Sequence, residues 1–510
     1  MTLRRSIALA GALAGCALLA ACGSGESILQ AGNDPVPVTT TTAPGPPPTA
    51  APGETLPETT PPTIATTTTT PLSSLPPCPV DALDAVTAPV ELTFWFGLGA
   101  NIEGVLTDLT NQYNASQDKV HVNLENQAGY KQTIDKYLQS SQDSRPDLVM
   151  FPEYMVQQIA DSGTAIPIGA CVEASGLDMS PYLPRALRAY ATEGVQWAMP
   201  FNASVPVLYY NEVAFQNAGL DITDPPVTLD ELRQASQAIV DSGASGTGIA
   251  LDSGVDSGGG WFLEQWFARA GEPYADNGNG RLAPATEVLY DGAFGVEVMT
   301  EVQSLITDGL AVSVGDNPNG EQTLLKLADQ EQPAAMTIAT SAALGTIINV
   351  LDGGLIPGVT SADLGVGAMP GPGEIPSATV GGGSLYIVAE QGDAQAAAAW
   401  DYILFLTNAQ SQSTWAAGTG YVPIREDALE LDPIHSLYET DPRFKVAYDQ
   451  VLAGPDDLTA VGPVMGPLRE VRSVTAGGVA SIFGGADVAS TLAGTAAQSD
   501  LLITDYNARN

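Results

Sequence analysis

From Val90 onward the apolar positions alternate between two rhythms. Leu92, Phe94 and Phe96 recur every second residue, which predicts a strand with one buried face. Ile102, Val105, Leu106, Leu109 and Tyr113 then follow helical spacing, and Val120, Val122 and Leu124 return to alternation. A second helical run carries Tyr130, Ile134, Tyr137 and Leu138, and "DLVMF" after Pro146 reads as a continuous apolar strand. Strand, helix, strand, helix, strand predicts an α/β fold with a parallel sheet, whose ligands bind beyond the carboxyl ends of the strands. Gly97 to Ala100 and Pro152-Glu153-Tyr154 occupy such ends. Further along, "PFNASVPVLYYNEVAFQNAGLD" starts as a buried strand and finishes as an amphipathic helix. Its Tyr209 and Tyr210 point to opposite faces, so at most one can meet a ligand. "AAAAWDYILFLTNAQSQSTW" has the periodicity of a buried helix, which makes Trp400 and Trp415 structural, as Trp197 is also expected to be.

The N-terminus changes the setting. Arg4 and Arg5 precede an apolar run from Ile7 to Ala21, short for a membrane span and suited to a secretory signal over 1–21. It closes on Leu19-Ala20-Ala21-Cys22 before Gly23, which resembles the bacterial lipobox and makes Cys22 the expected lipid attachment; ordinary cleavage after Ala-x-Ala is the alternative. Either route exports the protein, to the extracytoplasmic face of the membrane if lipid-anchored. Residues 22–77 are expected to be a tether, because from Asn33 to Pro77 they are mostly Thr, Pro, Ala and Gly, with too little apolar surface to offset the entropy of folding. Proline-rich chain extends about 3 Å per residue, enough to hold a domain on the order of 100 Å from its anchor. The remainder, 78–510, suits two lobes better than one core.

Charge and cysteine usage exclude several classes. Once Arg4 and Arg5 leave, 16 cations face 58 acids, so nucleic acid and anionic lipid surfaces are unsuitable partners. Cys16 and Cys22 belong to the signal and the lipobox, leaving Cys78 and Cys171 as an expected disulfide in an oxidising compartment. With only His121 and His435 and no cysteine cluster, no metal site or cofactor is expected.

Six blocks in order, "ELTFWFGLG", "PDLVMFPEYM", "MPFNASVPVLYYNEVAFQNAGLD", "AAMTIATSAALG", "GGGSLYIV" and "TGYVPIRED", resemble the extracellular solute-binding proteins of ABC importers, in particular their family 1 carbohydrate-binding and glycerol-phosphate-binding members. The resemblance covers roughly Val90 to Asn507. It implies a two-lobe periplasmic-binding-protein fold with a hinge and an inter-lobe cleft, lobe 1 over about 78–204 plus 385–440 and lobe 2 over about 205–384 plus 441–510. It also implies a monomeric receptor, not an enzyme, that captures a sugar, polyol or glycerophosphodiester and delivers it to membrane-bound permease subunits. The family's binding positions fall on Tyr130, Glu153, Ser204, Ser341, Gly382 and Tyr421. Hydroxyls, one carboxylate and a glycine suit a polyhydroxylated solute, because each can pair with a hydroxyl or let backbone approach closely. On this reading, removing the Glu153 or Tyr421 side chain weakens binding and leaves stability nearly unchanged.

Trp261, at a helix start after three glycines, joins the expected ligand residues on its own chemistry, since an indole plane suits a sugar face or a choline-like cation. Trp266 is assigned to the core. One position departs from the glycerol-phosphate pattern: Val464 stands where an arginine would grip the phosphate, which favours a neutral or zwitterionic ligand. Arg469 and Arg472 lie close by and read as surface or supporting residues. Two other classes compete. A secreted hydrolase could use Glu153 with Glu264, although among 58 acids any pair can be nominated. A tethered wall or adhesion protein explains the linker but not the two-lobe pattern.

Overall fold

The computed structural model describes residues 75–317, 320–329, 331–354, 359–454 and 457–510; the signal, Cys22 and nearly all of the tether lie outside them. Strand β1 (Val90–Phe96) buries Leu92, Phe94 and Phe96 completely, as their alternation requires. It pairs in parallel with β2 (Val120–Asn126) and β3 (Leu148–Pro152). The intervening helices Ala100–Ser116 and Tyr130–Gln139 match the helical runs. The first sheet is completed by β4 (Ala165–Ile166), β7 (Met199–Ser204) and β13 (Gly381–Val388), and β13 runs antiparallel to β3, β4 and β7. A small hairpin of β5 (Ala191–Thr192) and β6 (Val195–Gln196) stands apart.

The second sheet has the order β10 (Ala311–Ser313), β9 (Thr247–Leu251), β11 (Ala334–Thr340), β8 (Pro206–Asn211), β12 (Leu364–Ala368). Parallel pairs β9–β10 and β9–β11 join antiparallel pairs β8–β11 and β8–β12, so this is a mixed sheet.

Two crossings between the sheets lie side by side. Val205 alone separates β7 from β8, and Ser204 is in register with Gly381 at the start of β13. The residue expected to open the return segment, Leu385, therefore falls inside a strand that belongs to the first sheet from Gly381 onward. The triple glycine explains the earlier return. A side chain at Gly381 would strike the Trp261 ring, and Gly382, at φ 100°, would drive one into the Asn202 carbonyl. The chain reaches the second sheet again through helix Val446–Ala453, which packs on β8 and β12; there the Gln450 amide donates to Pro206 O.

Tyr209 and Tyr210 are both core: their hydroxyls donate to Thr340 O and Ile222 O, so neither faces a cleft. Trp266, Trp400 and Trp415 are buried as expected. Cys78 and Cys171 are bonded, tying the segment ahead of β1 to helix Ile168–Ser175. With the cysteines 93 positions apart, replacing both by alanine is expected to lower the unfolding free energy by about 4 kcal/mol in urea titrations, and a loss below about 1 kcal/mol would contradict the chain-entropy account.

Candidate functional site

At the seam between the sheets the structure buries a charge. Arg472, on helix Leu468–Phe483, is 2 % exposed. Its Nε donates to Glu264 Oε1 at 2.7 Å and its Nη2 to Glu264 Oε2 at 2.7 Å, a two-pronged pair within the second lobe. Nη2 also donates to Glu153 Oε1 at 2.8 Å, and Glu153 follows β3 in the first lobe. The Tyr154 ring lies 4.9 Å from the guanidinium carbon. Burial opposes the arginine's charge, but Glu264 and Glu153 hold it well above its ordinary value. Burial raises the Glu264 carboxyl, and the guanidinium works against that rise.

Glu153 also organises the main chain. Its Oε2 accepts the Gly382 N–H at 3.0 Å, and the carbonyl of the same glycine accepts the Tyr190 hydroxyl at 2.8 Å. Asn202, in register with Gly383, donates to the Tyr130 hydroxyl at 2.8 Å, and its own Oδ1 has no partner among the described residues. Tyr421 stacks on Trp415 at 5.6 Å, and Trp415 stacks on Phe201 at 4.5 Å. Val422 N donates to Ala203 O at 2.7 Å, which fixes Tyr421 beside β7. Burial pushes the phenols of Tyr130, Tyr190 and Tyr421 upward, so they stay neutral and can both donate and accept.

All seven sequence-derived ligand positions meet along this seam. Ser341 sits against the crossing: its N–H donates to Val205 O at 2.9 Å and its hydroxyl accepts from Val205 N. Ser204 pairs with Gly381, and Trp261, 6 % exposed, packs over that glycine. Trp261 lines one cavity with Glu153, Glu264, Arg281 and Arg472, and its indole N–H has no partner among the described residues. The expectation that Glu153 and Tyr421 are free of structural duty does not hold. Glu153 ties two segments and an arginine together, and Tyr421 is 7 % exposed in an aromatic stack.

Of the two readings of Arg472, surface or supporting, the structure leaves the supporting one: it is buried and holds Glu153 and Glu264. Its burial could have been found from spacing, since Leu468, Arg472, Thr475, Val479 and Ile482 share the buried face of one helix. Arg469 does reach a surface pair, with Asp135 at 2.9 Å, and that pair again joins the lobes. Val464 is buried, its N–H bonded to Asn279 O at 2.8 Å. Arg281 had no sequence signal, being held by main-chain carbonyls distant in sequence.

Arg472→Met leaves the buried Glu264 carboxylate and the part-buried Glu153 without their cation and is expected to cost about 3–5 kcal/mol in urea unfolding, part of which Glu264→Gln in the same chain restores. A loss below about 1 kcal/mol would show that the pair contributes little.

The sequence pattern of the bacterial extracellular solute-binding proteins matches residues 108–446. The sn-glycerol-3-phosphate-binding periplasmic protein UgpB of Brucella melitensis is 26 % identical over 413 residues, 79 % of this chain and 90 % of its own. Its counterpart in Rhizobium meliloti is 26 % identical over 396 residues, 76 % of this chain and 87 % of its own. Among solved structures, UgpB from Mycobacterium tuberculosis in complex with glycerophosphocholine superposes with a TM-score of 0.67 at 21 % identity, covering 83 % of this chain and 100 % of that one. A cyclic alpha-maltosyl-1,6-maltose binding protein from Arthrobacter globiformis gives 0.66 at 22 % identity, covering 82 % and 100 %.

Proposed function

This chain belongs to the bacterial extracellular solute-binding proteins, and we propose that it is the lipid-anchored receptor of an ABC importer, holding one hydroxyl-rich solute between its lobes and presenting it to the permease. The observation that carries this reading is the seam itself. Two sheets joined by adjacent crossings bring neutral phenols, hydroxyls, a carboxylate and a glycine main chain to one place. The crossing at Val205 is a single residue flanked by paired strands, which suits rotation of two rigid bodies about a hinge. Closure is then a population shift set by the solute's contacts with both lobes.

The relatives named above bind sn-glycerol 3-phosphate, glycerophosphocholine and a cyclic maltosaccharide, and the same solute range is proposed here. Within it, a free phosphate monoester is the poorest candidate. Val464 supplies no cation, and the Arg472 charge is already shared by two carboxylates. The same commitment argues against hydrolysis, because Glu153 and Glu264 both hold Arg472 and neither is placed as a free acid or base. Cys22 is proposed as the lipid-bearing residue and the Thr/Pro-rich stretch as the tether from membrane to receptor.

A thermal-shift screen against sugars, polyols, glycerol 3-phosphate and glycerophosphodiesters tests the receptor reading. A solute at 100 times its dissociation constant stabilises by about 2.7 kcal/mol, so a clear rise in Tm with a sugar or glycerophosphodiester is expected. A rise with glycerol 3-phosphate alone would overturn the ligand preference.

A further inference from the structure

Asn202 is completely buried on β7, and its side chain reaches Tyr130, the partly exposed first residue of helix Tyr130–Gln139. An asparagine amide carries two donors and one acceptor, and this one uses them unevenly. Its Nδ2 donates to the Tyr130 hydroxyl at 2.8 Å, while its Oδ1 has no partner among the described residues. Oδ1 lies instead against Gly383, its neighbour across the strand pair, where a Cβ would come within 2.4 Å of it. A buried carbonyl oxygen without a donor is unfavourable, so an aliphatic residue of similar size would fill a purely structural role at least as well. Tyr130 does not need the amide for its own sake either, because a partly exposed hydroxyl can bond to water.

What the amide adds is direction. A phenol has one proton to give and an oxygen that receives. With the Tyr130 oxygen receiving from Asn202, its proton is left to point away from β7. Tyr421 stands beside this pair, held against β7 through Val422 N and Ala203 O. Burial raises the Tyr421 phenol, and the Asn202 amide and the Tyr130 hydroxyl, both acting as donors to it, pull the other way. Two phenols resting on one donor group have at least one proton left to give outward.

We propose that Asn202 is a positioning residue that turns the Tyr130 and Tyr421 hydroxyls into donors towards the solute, so that this corner of the cleft selects an acceptor oxygen. This rests on the receptor reading above, in which both tyrosines meet the solute, and adds the polarity of their contact. A hydroxyl, ring or ester oxygen can accept there; an ammonium or a methyl group cannot.

The test is a double-mutant cycle read by calorimetric titration of the purified protein with maltose and with glycerophosphocholine. Asn202→Leu and Tyr130→Phe are each expected to weaken binding of the probe that the wild type takes by about tenfold. Because the amide acts through the phenol, the double variant is expected to lose about tenfold as well, where independent roles would multiply to about a hundredfold. Asn202→Asp keeps the shape but places an acceptor beneath Tyr130, and is expected to bind at least as weakly as Asn202→Leu; it decides the matter alone if Asn202→Leu does not fold. Unchanged affinity in Asn202→Leu or Asn202→Asp, or losses that multiply in the double variant, overturns the proposal while leaving the receptor reading intact, since the wild type still binds. Failure of the wild type to bind either probe overturns both.

Discussion

The seam of this protein depends on how one buried guanidinium is neutralised. Removing an arginine from water is costly unless its charge is paired and its donors are satisfied. Here Glu264 provides two parallel bonds from within the second lobe, and Glu153 provides a third from the first. That third bond makes the interaction more than local, because Glu153 also holds the Gly382 N–H at the start of β13. A contact across the seam is thereby linked to a strand that forms part of the hinge. Tyr190, through the Gly382 carbonyl, and Tyr130, through Asn202 on the neighbouring strand, complete the same lattice.

Other polar contacts bridge the lobes. Arg469 meets Asp135, the Tyr506 hydroxyl donates to Asp161, Asn349 donates to Asn101, and Arg281 donates to carbonyls on both sides. Partly exposed pairs such as Arg469 with Asp135 contribute little individually because water and salt screen them. Contacts of that kind suit a joint that must open. Each lobe, by contrast, is built around a buried strand, β3 being buried throughout and β8 in all but Asn211. The separation of rigid interiors from a polar seam is what lets a small solute bias the whole domain between two arrangements.

Much of this architecture was legible in the sequence, for reasons that differ by element. β1 and β2 announce themselves by alternation and the helix Asp393–Leu406 by its apolar run, because burial on one face or all faces imposes those periods. The Cys78–Cys171 bond followed from elimination of the other two cysteines. The positions Tyr130, Glu153, Ser204, Ser341, Gly382 and Tyr421 were reached by resemblance, and the structure draws them to one seam. What was missed is long-range and polar. Glu264 lies on a helix buried on nearly every side, where its charge has no meaning until Arg472, 208 residues away, is placed against it. Arg281 gains its environment from main-chain carbonyls and Asn202 from the Tyr130 hydroxyl, neither of which a local pattern reveals. The return to the first sheet at Gly381 was placed late because the close approach of Trp261 and Asn202, which makes glycine necessary there, is a tertiary fact.

The central claim is that Glu153 joins the two lobes through Arg472 and so biases the domain towards closure. Small-angle X-ray scattering of the wild type and of Glu153→Gln, under identical salt, addresses it most directly. The account predicts a larger radius of gyration for the variant, because the charge that draws Arg472 to the first lobe is gone while its pair with Glu264 persists. Superimposable scattering curves, with both proteins folded, would show that this bridge does not set the lobes' arrangement and would contradict the account.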